Sequence, residues 1–454
     1  MKRLILMASA LLLFAVSSVH AQKINKEAML QKMEKSNADI ADAKKAAKAS
    51  TWMNRGKIYL EAAMEPTKNL FGNMDATMLK LACGEPKSTE KVTLLKKEYT
   101  AFVYDYFTAY LANNKILAWK ETQQVQEGAV KVAIDAYNKA FALDPNSLEK
   151  VRAGLKQISD FCSQVGSIGI DIAEYITSAN AYILAFEAQS SPAYEKADPM
   201  LLYYAGYLLT VNGATDPKSY VEGAACLNKA LDLGYVDEEG NIYYYLFHCY
   251  YGQKDLKPED TAWRTDYVGK AKQTLLTGIE KFPKNERILD GLIQLYASEE
   301  GIGNPADLVT MIDTAIERDP TNVDLWFGRG RIFFVLKNFD ESIASFKKVV
   351  ELKPELFEGS YYLGMFYIYK GDDLNSQMNS KAYTSTADSE ADIKQVNAVY
   401  REAIPCLEKA HTLKPEDINS VEYLKQLCYR FRDEEGMQDK YISYDALFKQ
   451  MKGE

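Results

Sequence analysis

Along most of this chain, large apolar residues recur three and four positions apart, with polar residues between them. That spacing gives each segment one buried helical face. The clearest case runs from Val323 to Leu356. Trp326, Gly330 and Phe333 mark a first helix, Ser342, Phe346 and Val349 mark a second, and Pro354 closes the unit. A small residue at the eighth position lets the two helices approach closely. Proline ends the second helix, and Asp and Asn side chains around it cap the next one. One such hairpin cannot bury both of its faces, so neighbours must stack.

The same logic predicts further pairs. Ala205-Gly206 with Gly223, Leu227 and Ala230 marks one near 199–235. Tyr244, Phe247, His248 and Tyr251 precede Ala271, Leu275, Gly278 and Pro283 in the next. Leu289, Leu292 and Tyr296 precede Leu308, Ile312, Ala315 and Pro320 in another. Leu363-Gly364 and Tyr367 are separated from Ala403, Leu407, Ala410 and Pro415 by an insertion at 372–400. That insertion is rich in Ser, Asp, Asn and Thr, and is expected to be mobile from Asp372 to about Asn397. Near the N-terminus, Trp52, Gly56 and Tyr59 find their natural partner only at Ala133, Tyr137, Ala140 and Pro145. Residues 63–127 are then an insertion of extra helices. One starts at Thr89, with Leu95, Tyr99, Phe102, Val103, Tyr106 and Tyr110 on its apolar face. Residues 147–190 read as amphipathic helix, and 416–454 as a terminal capping pair.

The 323–356 unit resembles the tetratricopeptide repeat, W-x2-L-G-x2-Y, A-x3-F, P, with Arg329 where leucine is usual. The resemblance is strong over 199–415 and weaker over 22–198. It implies an all-α, right-handed solenoid of stacked antiparallel helix pairs. In that family the first helices line a concave groove. Carried onto this sequence, the groove positions include Tyr203, Tyr207, Tyr245, Phe327, Phe334, Tyr361 and Tyr369, with Arg331 and Glu358 among them. Tyrosine supplies apolar area with a polar handle, and the chain has 31 of them. Arg331 offers a donor fork for a carboxylate.

The first 21 residues read differently. Lys2 and Arg3 precede an apolar run from Leu4 to Val16, and Val19-His20-Ala21 fits a signal-peptidase site. This predicts export, with a mature chain starting at Gln22. The organisms in which such exported repeat proteins are common are Gram-negative bacteria, so the expected location is the periplasm or the outer membrane. No other segment is long and apolar enough to span a bilayer. Loss of Lys2 and Arg3 takes the net charge from -9 to -11 (-9 - 2). An acidic chain without a basic stripe is a poor match for nucleic acid.

Catalytic motifs do not emerge. Beyond the leader the histidines are His248, at a tight helix crossing, and His411, near a helix C-terminus. Neither lies in a zinc-ligand spacing. Ser-x-x-Lys occurs at Ser88, Ser147 and Ser345, as background. The turn Asp237-Glu238-Glu239-Gly240-Asn241 lacks the ligand spacing of a calcium loop. Six cysteines are present. Cys226 with Cys249, and Cys406 with Cys428, are spaced so that stacked helices can bring them together, though each also suits a small buried position. The sequence thus predicts a non-enzymatic scaffold of the cell envelope, without cofactor or metal, holding a peptide or protein segment in its groove. A glycan- or nutrient-binding accessory protein is the alternative, and it requires exposed, coplanar rings.

Overall fold

The computed structural model describes residues 24–303 and 306–453. The expected leader lies outside the described residues. Two compact units divide the chain, residues 1–235 and 236–454.

Unit 1 opens with α1 (Lys26–Ala41), the short α2 (Ala43–Ala46) and α3 (Ala49–Met64), followed by α4 (Ala76–Cys83). Strands β1 (Ser88–Leu94), β2 (Lys97–Val103), β3 (Phe107–Ala112) and β4 (Lys115–Glu121) come next. Helices α5 (Ala129–Leu143), α6 (Leu148–Ile170), α7 (Tyr175–Gln189), α8 (Met200–Asn212) and α9 (Ser219–Asp232) complete it. Helix α3 packs on α5 across the insertion, as the split pattern predicts. The Tyr137 ring of α5 lies where a Cβ on Gly56 of α3 would sit, 2.8 Å away, so glycine sets the closeness of this crossing.

The helix expected from Thr89 is instead an antiparallel meander in the order β1-β2-β3-β4. Its apolar residues satisfy both periods, but the burial alternates. Phe107, Ala109 and Leu111 are buried on β3, and Ile116 and Ala118 on β4. Two-residue turns join β1 to β2 and β3 to β4. Leu95 and Lys96 have φ of 49° and 63°, and Asn113 and Asn114 have 49° and 62°. Those are the left-handed dihedrals that two-residue hairpins need. The sheet shares a core with Leu70, Met74 and Leu79, and Ile168 of α6 packs against it.

Unit 2 is a run of helix pairs: α10 (Asn241–Gln253), α11 (Thr261–Lys281), α12 (Glu286–Ser298), α13 (Ala306–Arg318), α14 (Val323–Val335), α15 (Phe339–Leu352), α16 (Phe357–Asn379), α17 (Thr386–Leu413), α18 (Ile418–Arg430) and α19 (Met437–Lys452). Side-chain oxygens of Asn322, Asn338 and Asp417 cap α14, α15 and α18. A shared core runs through Phe327, Phe346, Phe366, Leu407 and Leu424. Cβ-less Gly330 admits the Phe346 ring, whose Cδ2 lies 2.4 Å from where a Cβ would stand. Trp326 is only half-buried, its indole N–H donating to the Pro320 carbonyl at 2.8 Å.

The segment expected to be mobile, Asp372 to Asn397, is mostly helix. It extends α16 and α17 as an antiparallel arm, with residues 380–385 as the connection. Val396 and Tyr400 are buried, the Tyr400 hydroxyl donates to Asp372 at 2.5 Å, and Lys381 and Tyr383 both donate to Asp392. Helix pairing thus offsets an ordering cost that composition alone does not offset. All six cysteines are free thiols.

Candidate binding surface

The groove positions named from the sequence meet different fates. In unit 1, Tyr203 and Tyr207 are half-buried on α8, and Tyr203 packs on Tyr204 and Tyr235 with centroids 5.6 and 5.3 Å away. In unit 2, Tyr245 is half-buried and its hydroxyl accepts from Arg287 at 3.0 Å. Phe327 is a correction. It is 2% exposed, wedged against Phe346 and edge-on to Tyr362, so it belongs to the core. Its ring faces the paired helix because the close crossing at Gly330 leaves no other route for a large side chain.

Arg331 is engaged as well. Its guanidinium lies 3.8 Å from Asp290, over the Tyr362 ring, and its side chain is 16% exposed. Tyr362 in turn donates to Glu286 at 2.5 Å. Burial raises the Asp290 pKa, against the pull of Arg331. An incoming carboxylate at Arg331 would meet Glu286 and Asp290, so the donor-fork reading weakens here.

Phe334, Tyr361 and Tyr369 do come together, and they meet residues that the sequence did not single out. Phe334 stacks on Phe366 and carries Tyr369 at 5.0 Å. Tyr361 faces Tyr423 of α18 at 6.4 Å. Between α16, α17 and α18 a cavity of about 390 Å³ opens, lined by Tyr369, Tyr400, Tyr423, Met365 and Leu427, with Asp372 and Arg430 as its charged members. The Arg430 guanidinium lies 4.4 Å from the Tyr400 ring centroid and donates to Asn397 at 3.1 Å. Tyr400 and Asp372 hold each other by the hydrogen bond described above. Burial pushes the Tyr361 and Tyr400 hydroxyls well above the usual range, so both are neutral donors at physiological pH. Tyr369 is 38% exposed.

The rings are inclined, 58° between Phe334 and Tyr369 and 50° between Tyr361 and Tyr423. Neither pair is the coplanar platform that the glycan alternative requires. Tyr423 escaped the sequence reading because α18 was assigned to the cap. Tyr400 and Asp372 escaped it because they fall in the insertion.

His248 sits edge-on to Tyr244 at 4.4 Å, and burial lowers its pKa to about 4. Asp237 is a cap, accepting from the backbone N–H of Asn241 and Ile242 at 3.0 and 2.8 Å. Among the described residues no group of three His, Cys, Asp or Glu is disposed to hold a metal ion.

The family model of the tetratricopeptide repeat matches residues 323–356, which are α14, α15 and the turn that follows. The segment is a tetratricopeptide repeat. The fold around it is all-α and of the same stacked type, with the small sheet as an insert. Solved structures similar to this chain include MamA, at 17% identity over 44% of this chain and 94% of that one, with a TM-score of 0.27. A tetratricopeptide-repeat protein from Bacteroides fragilis NCTC 9343 is 17% identical over 59% of this chain and 97% of its own, with a TM-score of 0.26. YrrB, described as a repeat protein with an unusual peptide-binding site, is 17% identical over 64% and 97%, with a TM-score of 0.25. No curated protein sequence matches the chain.

Proposed function

We propose that this protein is a non-enzymatic interaction scaffold, and that the first helices of unit 2 bind a peptide or protein segment through an apolar anchor. The aromatic cavity beside Tyr369 and Tyr423 carries the reading. It is concave, walled by rings and aliphatic side chains, and holds one fixed arginine and one fixed carboxylate, the composition from which binding hot spots are built. Phe334 and Tyr361 extend the apolar surface beside it. Arg430 takes over from Arg331 as the donor for a backbone carbonyl or carboxylate of the bound segment. Within unit 2, Tyr245 remains a half-exposed position for further contact.

The leader-like first 21 residues support a location in the periplasm or at the outer membrane of a Gram-negative cell. No described helix is long and apolar enough to cross a membrane. N-terminal sequencing of the exported protein, beginning at Gln22, tests that part.

For the binding surface, a displayed random-peptide library is selected on the full chain. Enriched peptides should carry a large apolar residue and lose at least about tenfold in affinity to Tyr369→Ala and Tyr423→Ala. Both variants should melt within a few degrees of the parent. Enriched peptides that bind both variants unchanged would exclude this cavity as the site.

A further inference from the structure

Four buried side-chain polar atoms among the described residues have no hydrogen-bond partner: Glu121 Oε1, Ser178 Oγ, Arg331 Nε and His411 Nδ1. A carboxylate oxygen is the costliest of these to leave unmatched. Glu121 ends β4, and its backbone is fixed by pairing with Phe107 of β3. Trp119, two residues earlier, shares its face of the strand. The sheet therefore fixes the backbone from which the side chain departs, and its Oε1 is buried.

Two cavities meet at Glu121. One, of about 270 Å³, lies against Trp119, Ile168 and Ile172. The other, of about 450 Å³, lies against Ala63, Ala181 and Leu184. Glu121, Gln124, Phe161, Val165 and Thr177 line both. All belong to unit 1, whereas the aromatic pocket belongs to unit 2. Ser178, another of the four unmatched atoms, has its Oγ 2.2 Å from where a Cβ on Gly169 would stand, and Gly169 lines the smaller cavity.

The charged neighbours do not satisfy Glu121. Lys120 is paired with Glu174 at 2.5 Å, and Lys131 with Glu187 at 2.7 Å. Glu127 also lines the larger cavity, and the Cys162 thiol there is pushed up to about 12 by burial. Burial raises the Glu121 carboxyl to about 7, opposed by a hydrogen bond from Gln124. With both lysines engaged, Glu121 Oε1 is left without a donor.

We propose that the joined cavities bind a small amphipathic amine, with its ammonium on Glu121 and its apolar stem against Trp119, Phe161 and Val165. The volumes are those of a small-molecule site. A primary ammonium supplies three donors and the compensating charge. Its own pKa, about 10, keeps it charged while Glu121 titrates. Binding requires Glu121 to release its proton, so affinity rises with pH through the range around 7.

The test uses isothermal titration of the full chain with n-hexylamine, 1-hexanol and hexanoate. One saturable site for n-hexylamine is expected, at least about tenfold tighter than for 1-hexanol, with no binding of hexanoate. Affinity for the amine should climb between pH 5.5 and 8, and proton release at pH 6 should show as a buffer-dependent heat. Glu121→Gln keeps the shape and removes the charge. It should weaken the amine at least about tenfold, leave 1-hexanol within twofold and flatten the pH profile, with a melting temperature no lower than the parent's. Equal amine affinity in Glu121→Gln, a flat profile in the parent, or no saturable amine binding by the folded parent overturns the proposal.

Discussion

Replacing Gly330 with alanine sets two effects of known sign against each other. In an exposed helix interior the change stabilises by about 1 kcal/mol, because glycine loses more backbone entropy on folding. Here the new methyl would stand 2.4 Å from Cδ2 and 2.5 Å from Cε2 of Phe346, with Ser345 Cβ at 3.2 Å. The Phe346 ring is fully buried and fenced by Phe327 and Phe366, each with its centroid 4.9 Å away, so it has little room to yield. Overpacking of this kind costs about 1–3 kcal/mol. The net expectation is a loss of about 0–2 kcal/mol.

A double-mutant cycle separates the terms. Phe346→Ala alone should cost about 3–5 kcal/mol through lost packing. It also removes the ring atoms that the methyl strikes. In that background Gly330→Ala should turn stabilising by about 0.5–1 kcal/mol, a coupling of about 1–3 kcal/mol. Stacked repeats can open locally, so the measurement is native-state hydrogen exchange at amides of α14 and α15 rather than one global transition. Additivity within about 0.5 kcal/mol, or a full gain of about 1 kcal/mol for Gly330→Ala in the parent, refutes the argument that this glycine sets the helix crossing.

Other outcomes follow from the same structure. Arg331→Ala should lower stability by about 0.5–2 kcal/mol in chemical denaturation, through its lost contacts with the Tyr362 ring and the exposed Asp290; a loss below about 0.3 kcal/mol would mean the network is idle. Trp326→Ala should cost about 1–3 kcal/mol, less than a fully buried ring, and unfolding midpoints of the purified variant decide it. Glu121 has a folded-state pKa raised above its unfolded value, so its contribution is fully present below about pH 4.5 and is lost as pH rises through about 7. The parent should therefore lose stability relative to Glu121→Gln over that window, and parallel melts at pH 5 and 8 that do not diverge would contradict the burial. Limited proteolysis should cut the α16–α17 arm only within 380–385; early cuts spread over 386–397 would restore the mobile-insertion reading.

The helix pairs were legible because their signal is redundant. Spacing, a small residue at the crossing and a closing proline all point to one structure in 323–356, and Gly330 against Phe346 is the contact they imply. The meander was misread because Leu95, Tyr99, Phe102 and Tyr106 also fit a helical stripe. The discriminating signal was Asn113-Asn114 between Phe107–Ala112 and Lys115–Glu121, a two-residue turn flanked by alternating apolar residues. The arm was misread for the opposite reason. Its composition is polar, yet an antiparallel partner supplies burial that no single-segment reading can see. Groove residues were harder still, since adjacent positions on one helix turn face core or solvent. Phe327 and Tyr361 hold the same place after Pro320 and Pro354, and one is buried while the other is half-exposed.

That last contrast explains where the candidate sites lie. Positions that define the repeat are consumed by packing: Phe346 fills the space over Gly330, Phe327 closes it, and Arg331 spans to Asp290. A side chain already committed to its neighbours has little free energy left for a ligand, because binding must first undo what it holds. Polar groups that face a cavity arise where the chain departs from the repeat. Asp372 and Tyr400 stand on the lengthened α16 and α17, and their cavity exists because those helices run past the usual crossing. Glu121 stands at the end of a sheet inserted between α3 and α5, on two cavities that neither helix alone would enclose. In this protein the repeats supply the frame, and the departures from them supply the candidate sites.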